Sequence, residues 1–210
     1  MKTVYLLRVL LIASACAGWS VSASADAPAR ILDEGEKIIL PDEYAPVSTE
    51  LFGCFDCHGV SGESADPQFP ILSGQHFYYL YVQLKDFKSG LRASEIMQPM
   101  VEEMSKDQMK LIAKYFSEQE WPSTGYRGDP AMTAKGETAT GAGQCVQCHR
   151  GAYDGDSRVP RLAGQQREYL FKTLLDFKNK LRMNSPAKSS LMGSFDDADI
   201  EAMAEFLADL

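Results

Sequence analysis

The stretch Cys54-Phe55-Asp56-Cys57-His58 occurs a second time, later in the chain, as Cys145-Val146-Gln147-Cys148-His149. Cys-x-x-Cys-His is the attachment sequence of c-type haem. Its two thiols can each bond one vinyl group of the same porphyrin, and the adjacent imidazole reaches the iron as a proximal ligand. The repeated motif therefore predicts two covalently bound haem c groups, with His58 and His149 as iron ligands. The cysteines expected to attach them are Cys54, Cys57, Cys145 and Cys148.

Other uses of paired cysteines are a disulfide bond, a redox-active dithiol and a four-cysteine zinc site. None of these explains why each cysteine pair is followed directly by a histidine, or why the two pairs lie in matching surroundings. The fifth cysteine, Cys16, lies in an N-terminal segment that we expect to be removed. Haem attachment therefore uses every cysteine of the mature chain.

The N-terminus has the features of a secretory signal. Lys2 and Arg8 come first, an apolar run covers residues 9–17, and small residues precede a cleavage site after Ala25. Lipoprotein processing at Cys16 is an alternative. The run is shorter than the roughly 20 apolar residues of a membrane-spanning helix, and no later stretch approaches that length. We expect export to the periplasm.

The chain is acidic, with 29 acidic residues against 21 basic ones and a formal charge of -8. Loss of Lys2 and Arg8 with the signal leaves 19 basic residues and a formal charge of -10. Such a charge repels phosphates, so a nucleic-acid partner is not expected. It is compatible with docking to a basic patch on another protein, and equally with the ordinary surface of an exported protein.

An internal repeat surrounds the two motifs. Residues 69–92 align with residues 159–182 at a constant offset of 90, and half of the aligned positions are identical. Because this period is far longer than a solenoid unit, it indicates a duplicated domain. The predicted organisation is a signal peptide, a first domain, a linker of turn-forming composition and a second domain, with boundaries at 1–25, 26–119, 120–130 and 131–210.

Both halves carry helical patterns. After Gly74-Gln75, four apolar residues follow the 3.6-residue period, and the second half repeats them. Tyr79 and Tyr169 are expected to reach polar partners with their hydroxyls. The apolar positions are Leu80, Leu84, Phe87 and Leu91 in the first half, and Leu170, Leu174, Phe177 and Leu181 in the second.

The last helix of each half is also predicted. Ser105 and Gln108 form a capping-box pattern that opens a helix through Phe116, and a matching helix starts near Asp196. No segment shows a sustained alternating strand pattern. The predicted fold is therefore all-α, with two tandem domains that each wrap around one covalent haem. Domains of about 90 residues are marginal without the apolar surface of such a group.

The chain resembles di-haem class I cytochromes c of the cytochrome c4 type, over essentially all of the mature sequence. The haem motifs alone indicate only a c-type cytochrome. The narrower resemblance rests on the Pro-x-Leu-x-Gly-Gln segments after Phe69 and Val159, on the Asp-Phe-Lys helix ends, and on Met-Gln-Pro-Met at residues 97–100.

The resemblance implies a methionine opposite each proximal histidine. In the first half the matching residue is Met97, seven residues before Met104, and Met100 is the alternative ligand. A thioether ligand stabilises ferrous iron and raises the potential.

The second half departs from this pattern. The position seven residues before Phe195 is Lys188 and not a methionine. Met192 is the expected ligand if the loop is shortened, while Met183 and Lys188 are the alternatives.

Further roles also follow from the resemblance. The carbonyls of Pro70 and Pro160 are expected to accept the proximal imidazole N–H. Arg92 and Arg182 are expected either to pair with haem propionates or to lie on the solvated surface. These four positions are repeated between the halves. His76 aligns with Gln166, so we expect it outside the repeated architecture, at the exposed start of a helix.

The function implied is a periplasmic electron carrier and not an enzyme, with redox proteins as partners. It would pass single electrons from membrane-bound or periplasmic donors to an acceptor such as an oxidase, and peripheral association with a membrane is a further expectation. One alternative is a di-haem subunit of a periplasmic oxidoreductase, for example a flavoprotein sulfide dehydrogenase. Another is a di-haem enzyme with an open axial position.

Overall fold

The computed structural model describes residues 38–210. The predicted signal peptide lies outside this range and stays a prediction. Within the range all regular structure is helical, apart from two isolated bridges between single residues. A 3₁₀ helix, Asp42–Val47, precedes nine α-helices: α1 Ser48–His58, α2 Phe77–Lys88, α3 Met97–Val101, α4 Lys106–Ser117, α5 Pro130–Ala142, α6 Val146–His149, α7 Arg167–Lys178, α8 Pro186–Met192 and α9 Asp197–Asp209. The predicted all-α fold is confirmed.

The first half packs its helices around an apolar core built from α1, α2 and α4. Leu51 and Phe55 project from α1 into this core and meet Ile112 of α4. The predicted capping box starts α4: the Ser105 hydroxyl accepts from the backbone N–H of Gln108 at 3.2 Å, and the return bond is 2.9 Å. Two otherwise unpaired groups at the helix start are thereby satisfied.

The second half is built on a close crossing of α5 and α9. Asp196 caps α9 as predicted, accepting from the backbone N–H of Asp199 at 2.7 Å. At the crossing, a Cβ atom on Gly136 would lie 1.9 Å from the carbonyl oxygen of Ala202. The two helices therefore touch through backbone, and only a residue without a side chain fits.

The apolar stripes of α2 and α7 end one turn earlier than the sequence predicts. Leu91 and Leu181 are 56% and 63% exposed and lie beyond the helix ends. The reason is a residue in the left-handed region after each helix, Gly90 at φ +75° and Lys180 at φ +58°, which turns the chain away from the helix axis. The prediction of Leu91 and Leu181 as stripe residues was wrong.

The two haem motifs sit in different local structures. In the first half α1 runs through the whole motif to His58. In the second, α5 ends at Ala142, before the motif, and the separate helix α6 holds the end of the motif. None of the helices in residues 38–210 is both long and apolar enough to cross a membrane.

The α5–α9 crossing generates a stability prediction. We expect Gly136→Ala to lower the free energy of unfolding by about 1–3 kcal/mol or more, because the new methyl group overlaps the Ala202 carbonyl. Denaturant unfolding of the haem-loaded protein, followed by far-ultraviolet circular dichroism, measures it.

Gly141→Ala is the matched control, since it lies in the same helix with no neighbouring atom within 4 Å of the new carbon. There we expect a gain of about 0.5–1 kcal/mol from helix propensity. Equal effects at the two glycines would show that the crossing is not as tight as described.

Candidate haem sites

One cavity of about 670 Å³ reaches into both halves of the molecule. Its wall includes both Cys-x-x-Cys-His motifs, the segments of Pro70 and Pro160 that follow them, and residues of α2, α3, α7 and α8. The structure therefore gathers the predicted attachment and ligand residues of both halves around a single space.

His58, at the end of α1, is buried, and its Nδ1 lies 3.0 Å from the carbonyl oxygen of Pro70. Because a carbonyl can only accept, Nδ1 carries the proton and Nε2 keeps its lone pair. Burial lowers the pKa of His58, so the ring is neutral at pH 7. A neutral imidazole held through its other nitrogen is the form that binds a metal ion.

His149 repeats this geometry in the second half. Its Nδ1 lies 2.9 Å from the carbonyl oxygen of Pro160. Burial, and to a smaller extent the charge of Lys188, lowers the pKa of His149 to about 4. The predicted proline partners of both histidines are confirmed.

The cysteine thiols stand beside these histidines on the cavity wall. Within residues 38–210 they form no disulfide bond, and no cluster of three or more His, Cys, Asp or Glu side chains is arranged to hold a metal ion. Burial raises the pKa of Cys54 to about 12 and also raises that of Cys145. Redox-active dithiols show the opposite, a lowered pKa. The arrangement fits covalent attachment better than dithiol chemistry.

The cavity wall of the first half also includes two methionines. Met97 begins α3, is half-buried and packs against the first core. Met100 is more exposed, and its Cε lies 3.0 Å from where a Cβ on Gly53 would be. Both line the cavity.

In the second half, Met192 ends α8 and lines the cavity. It is 4% exposed and packs with Ala139, Phe177 and Met203. Lys188 lies one turn earlier on α8 and also lines the cavity. Burial, together with the charge of Arg182, lowers the pKa of Lys188 to about 8.

Met183 is placed differently. It is 65% exposed and is absent from the cavity wall, so the structure does not bring this alternative ligand to the site.

Comparison with known proteins gives the family. The cytochrome c family model matches residues 133–210. Cytochrome c4 of Thiocapsa roseopersicina is 35% identical over 170 residues, which cover 75% of this chain and 86% of that protein. The chain belongs to the cytochrome c4 family.

Two further comparisons agree with this membership. The crystal structure of reduced recombinant cytochrome c4 from Pseudomonas stutzeri matches with a TM-score of 0.69 and 31% identity, covering 79% of this chain and 95% of that one. A thiosulfate dehydrogenase electron acceptor of Stutzerimonas stutzeri is 30% identical over 197 residues, or 84% of this chain and 86% of that protein. As a member of the cytochrome c4 family, the chain is an electron-transfer protein with two class I cytochrome domains and two covalently bound haem c groups.

Arg92, which is partly buried, and Arg182, which is buried, form a basic cluster on the cavity wall. Arg182 is buried and donates to Gln83 Oε1 at 2.8 Å and to Asn184 Oδ1 at 3.1 Å. Arg92 donates to Gln83 Oε1 at 3.0 Å and to the hydroxyl of Tyr169 at 2.9 Å. None of these partners is a carboxylate.

Positive charge therefore accumulates in this part of the cavity. Burial alone would raise the pKa of Tyr169, but the guanidiniums of Arg92 and Arg182 outweigh it and lower that pKa to about 7. A pocket that favours an ionised phenol attracts anions. Each haem c carries two propionate carboxylates, which fit this charge. The alternative of a solvated surface role for the two arginines is wrong.

The roles of Gln83 and Asn184 in this cluster could not be predicted from the sequence. Gln83 aligns with Thr173, so the repeat gives no signal for it, and Asn184 lies beyond the aligned segments. The predicted polar partners of the two tyrosines are present: Arg92 donates to Tyr169, and Arg182 lies 3.4 Å from the hydroxyl of Tyr79.

The prediction for His76 was wrong. His76 does stand at the start of α2, but it is half-buried, and its Nε2 lies 2.8 Å from the carbonyl oxygen of Asp154 in the other half. Gln166, its counterpart, donates to the carbonyl of Ser64 at 2.8 Å. The two side chains differ chemically but make equivalent contacts, which residue identity could not reveal.

The basic cluster generates a prediction for the haem-loaded protein. We expect Arg182→Gln to lower the haem reduction potentials by on the order of 1 kcal/mol per electron, because removal of a buried positive charge favours ferric iron. Spectroelectrochemical titration measures the potentials.

Arg127→Gln is the matched control, because the Arg127 side chain is 82% exposed and its charge is screened by solvent. A shift as large in Arg127→Gln as in Arg182→Gln would contradict a special role of the buried cluster.

Proposed function

We propose that the chain is a periplasmic di-haem electron carrier, without catalytic residues, that passes single electrons between respiratory donors and a terminal acceptor such as an oxidase. The observation that carries this proposal is the cavity wall, which in each half includes a neutral histidine and a buried or half-buried methionine. A histidine and a methionine at each iron would leave no open position for a substrate. The bound haem supplies one-electron chemistry at its iron.

At the first site, Cys54 and Cys57 attach the haem, and His58 and Met97 bind the iron. Met97 is favoured over Met100 because it packs against the core, which holds its thioether in place. A fixed ligand that need not move during oxidation or reduction suits electron transfer.

At the second site, Cys145 and Cys148 attach the haem, and His149 and Met192 bind the iron. Burial of Met192 among apolar side chains supports it over Lys188, whose ammonium form has no lone pair to offer.

The proposed domains are residues 26–119 and 131–210, joined by a linker of residues 120–130. Within the described chain, one apolar core is formed by residues between Ile38 and Phe116, and the other two by residues between Tyr126 and Ala208. Residues 121–129 have no regular structure. Each half thus has its own core, as expected of a duplicated domain.

A second candidate is a dedicated electron acceptor or cytochrome subunit of a periplasmic oxidoreductase, such as a thiosulfate- or sulfide-oxidising enzyme. The relative named as a thiosulfate dehydrogenase electron acceptor favours it. The negative formal charge would suit docking to a basic face of that enzyme.

The ligand assignment generates a prediction. We expect Met192→Ala to remove about half of the near-infrared sulfur-to-iron charge-transfer intensity of the oxidised protein, and to lower the potential of one haem, because one of two thioether ligands is lost.

Lys188→Ala and Met183→Ala are the comparison variants and should retain the full band. An unchanged band in Met192→Ala, with a changed potential of one haem in Lys188→Ala, would transfer the assignment to Lys188, because an amine ligand gives no sulfur-to-iron band.

The carrier role generates another prediction. The reduced protein should bind carbon monoxide at neither haem within the time of mixing, and should be reoxidised rapidly by membranes that contain a terminal oxidase. Stopped-flow absorption measures both. Rapid carbon monoxide binding would instead favour an enzyme with an open axial position.

Isolation of a tight stoichiometric complex with a flavin or molybdenum subunit would favour the second candidate. Reduction by an isolated thiosulfate dehydrogenase, without such a complex, would fit a carrier that serves this donor.

A further inference from the structure

Two glutamine side chains cross between the halves in the same way. Gln75 accepts from the backbone N–H of Arg161 at 2.9 Å and donates to the carbonyl of Arg161 at 3.0 Å. Gln165 accepts from the N–H of Ile71 at 2.8 Å and donates to its carbonyl at 3.0 Å. Gln75 and Gln165 are 2% and 3% exposed, so these bonds are shielded from water.

The two glutamines hold Arg161 and Ile71. These residues directly follow Pro160 and Pro70, whose carbonyls accept from the two histidines. The carbonyl of Pro160 and the N–H of Arg161 belong to one planar peptide unit. The carbonyl accepts from His149, and the N–H donates to Gln75. One rigid unit thus connects a glutamine of the first half to a histidine of the second.

The first site has the same connection in reverse. The peptide between Pro70 and Ile71 accepts from His58 on its carbonyl and donates to Gln165 through its N–H. Hydrogen bonds at both ends of a peptide polarise it, so each bond strengthens the other.

The orientation of the two amides is fixed by their surroundings. The Oε1 of Gln75 also accepts from the backbone N–H of His76 at 3.1 Å, and that of Gln165 from Gln166 at 2.9 Å. With two N–H donors at the oxygen and a carbonyl at the nitrogen, the reversed amide would pair like with like.

We propose that Gln75 and Gln165 are crossed positioning residues, each of which sets the proximal histidine of the other half. The inference rests on the proposed ligand roles of His58 and His149. A polarised, fixed carbonyl is a stronger acceptor and makes the imidazole more basic. A more basic imidazole stabilises ferric iron, so each glutamine lowers the potential of the haem in the opposite half.

The test uses the full-length di-haem protein with Gln75→Met, which keeps side-chain length and removes both hydrogen bonds. The expected result is a larger rise in potential at the second haem than at the first, although Gln75 belongs to the first half. Gln165→Met should give the reverse pattern. Haem-resolved potentials, with hyperfine-shifted proton resonances of each proximal imidazole, are the readouts.

Gln166→Met is the matched control. Its bond to the Ser64 carbonyl also joins the halves, but Ser64 lies outside the peptide that holds His58. If loss of a glutamine only loosened the contact between the halves, the haem potentials would also shift in Gln166→Met. The crossed pattern should appear only in the Gln75 and Gln165 variants.

A shift confined to the variant's own half, an equal shift at both haems, or the same shifts in Gln166→Met would overturn the proposal. If a methionine variant does not fold with both haems, asparagine replaces it, because the shorter amide cannot reach both backbone groups, and the same inequality is expected. Wild-type spectra that show histidine–methionine ligation test the proposed ligands separately, so a missing crossed shift in such a protein overturns only the crossed positioning.

Discussion

The hydrogen bond from the histidine of each Cys-x-x-Cys-His motif to a proline carbonyl is the interaction on which both sites depend. It determines which ring nitrogen is protonated, and so which one faces the cavity with a lone pair. It also connects each Cys-x-x-Cys-His motif to the segment that enters the next helix, α2 or α7. That segment carries the glutamine that reaches the other half. The bond that orients each histidine therefore links the geometry of the motif to the arrangement of the two halves.

The two sites share this arrangement around the histidine and differ in the helix that carries the methionine. In the first half that helix is α3, with Met97 at its start, whereas in the second it is α8, with Met192 at its end and Lys188 one turn before. The partly buried ammonium of Lys188 adds positive charge near the second site, and Gln98, at the repeat offset of 90 in the first half, is uncharged. Since positive charge favours ferrous iron, duplication of the domain has not produced two electrostatically equal sites.

Much of the proximal geometry could be predicted from the sequence because its chemistry requires fixed spacing. Two cysteines, a histidine and a proline that follows them define a local unit. The repeat supports the extent of this unit because it contains the same residues twice. The contacts of Gln83 and His76 could not be predicted, because they form between residues far apart in the chain and the aligned residues of the other half, Thr173 and Gln166, are of different types. The stripe through Leu91 failed for a local reason, since a left-handed residue ended the helix one turn early.

The polar character of the interface has a physical reason. Apolar surfaces can slide over one another at little cost, whereas a side-chain amide paired with both groups of one backbone residue has a single good register. Gln75 and Gln165 make such pairs on opposite sides of the interface. Any shift of one half would break these four hydrogen bonds, at a cost of about 1–3 kcal/mol for each buried polar group left unpaired. The interface thus fixes the orientation in which the arginines of both halves meet, and it does so with the same residues that touch the histidine-bearing peptides.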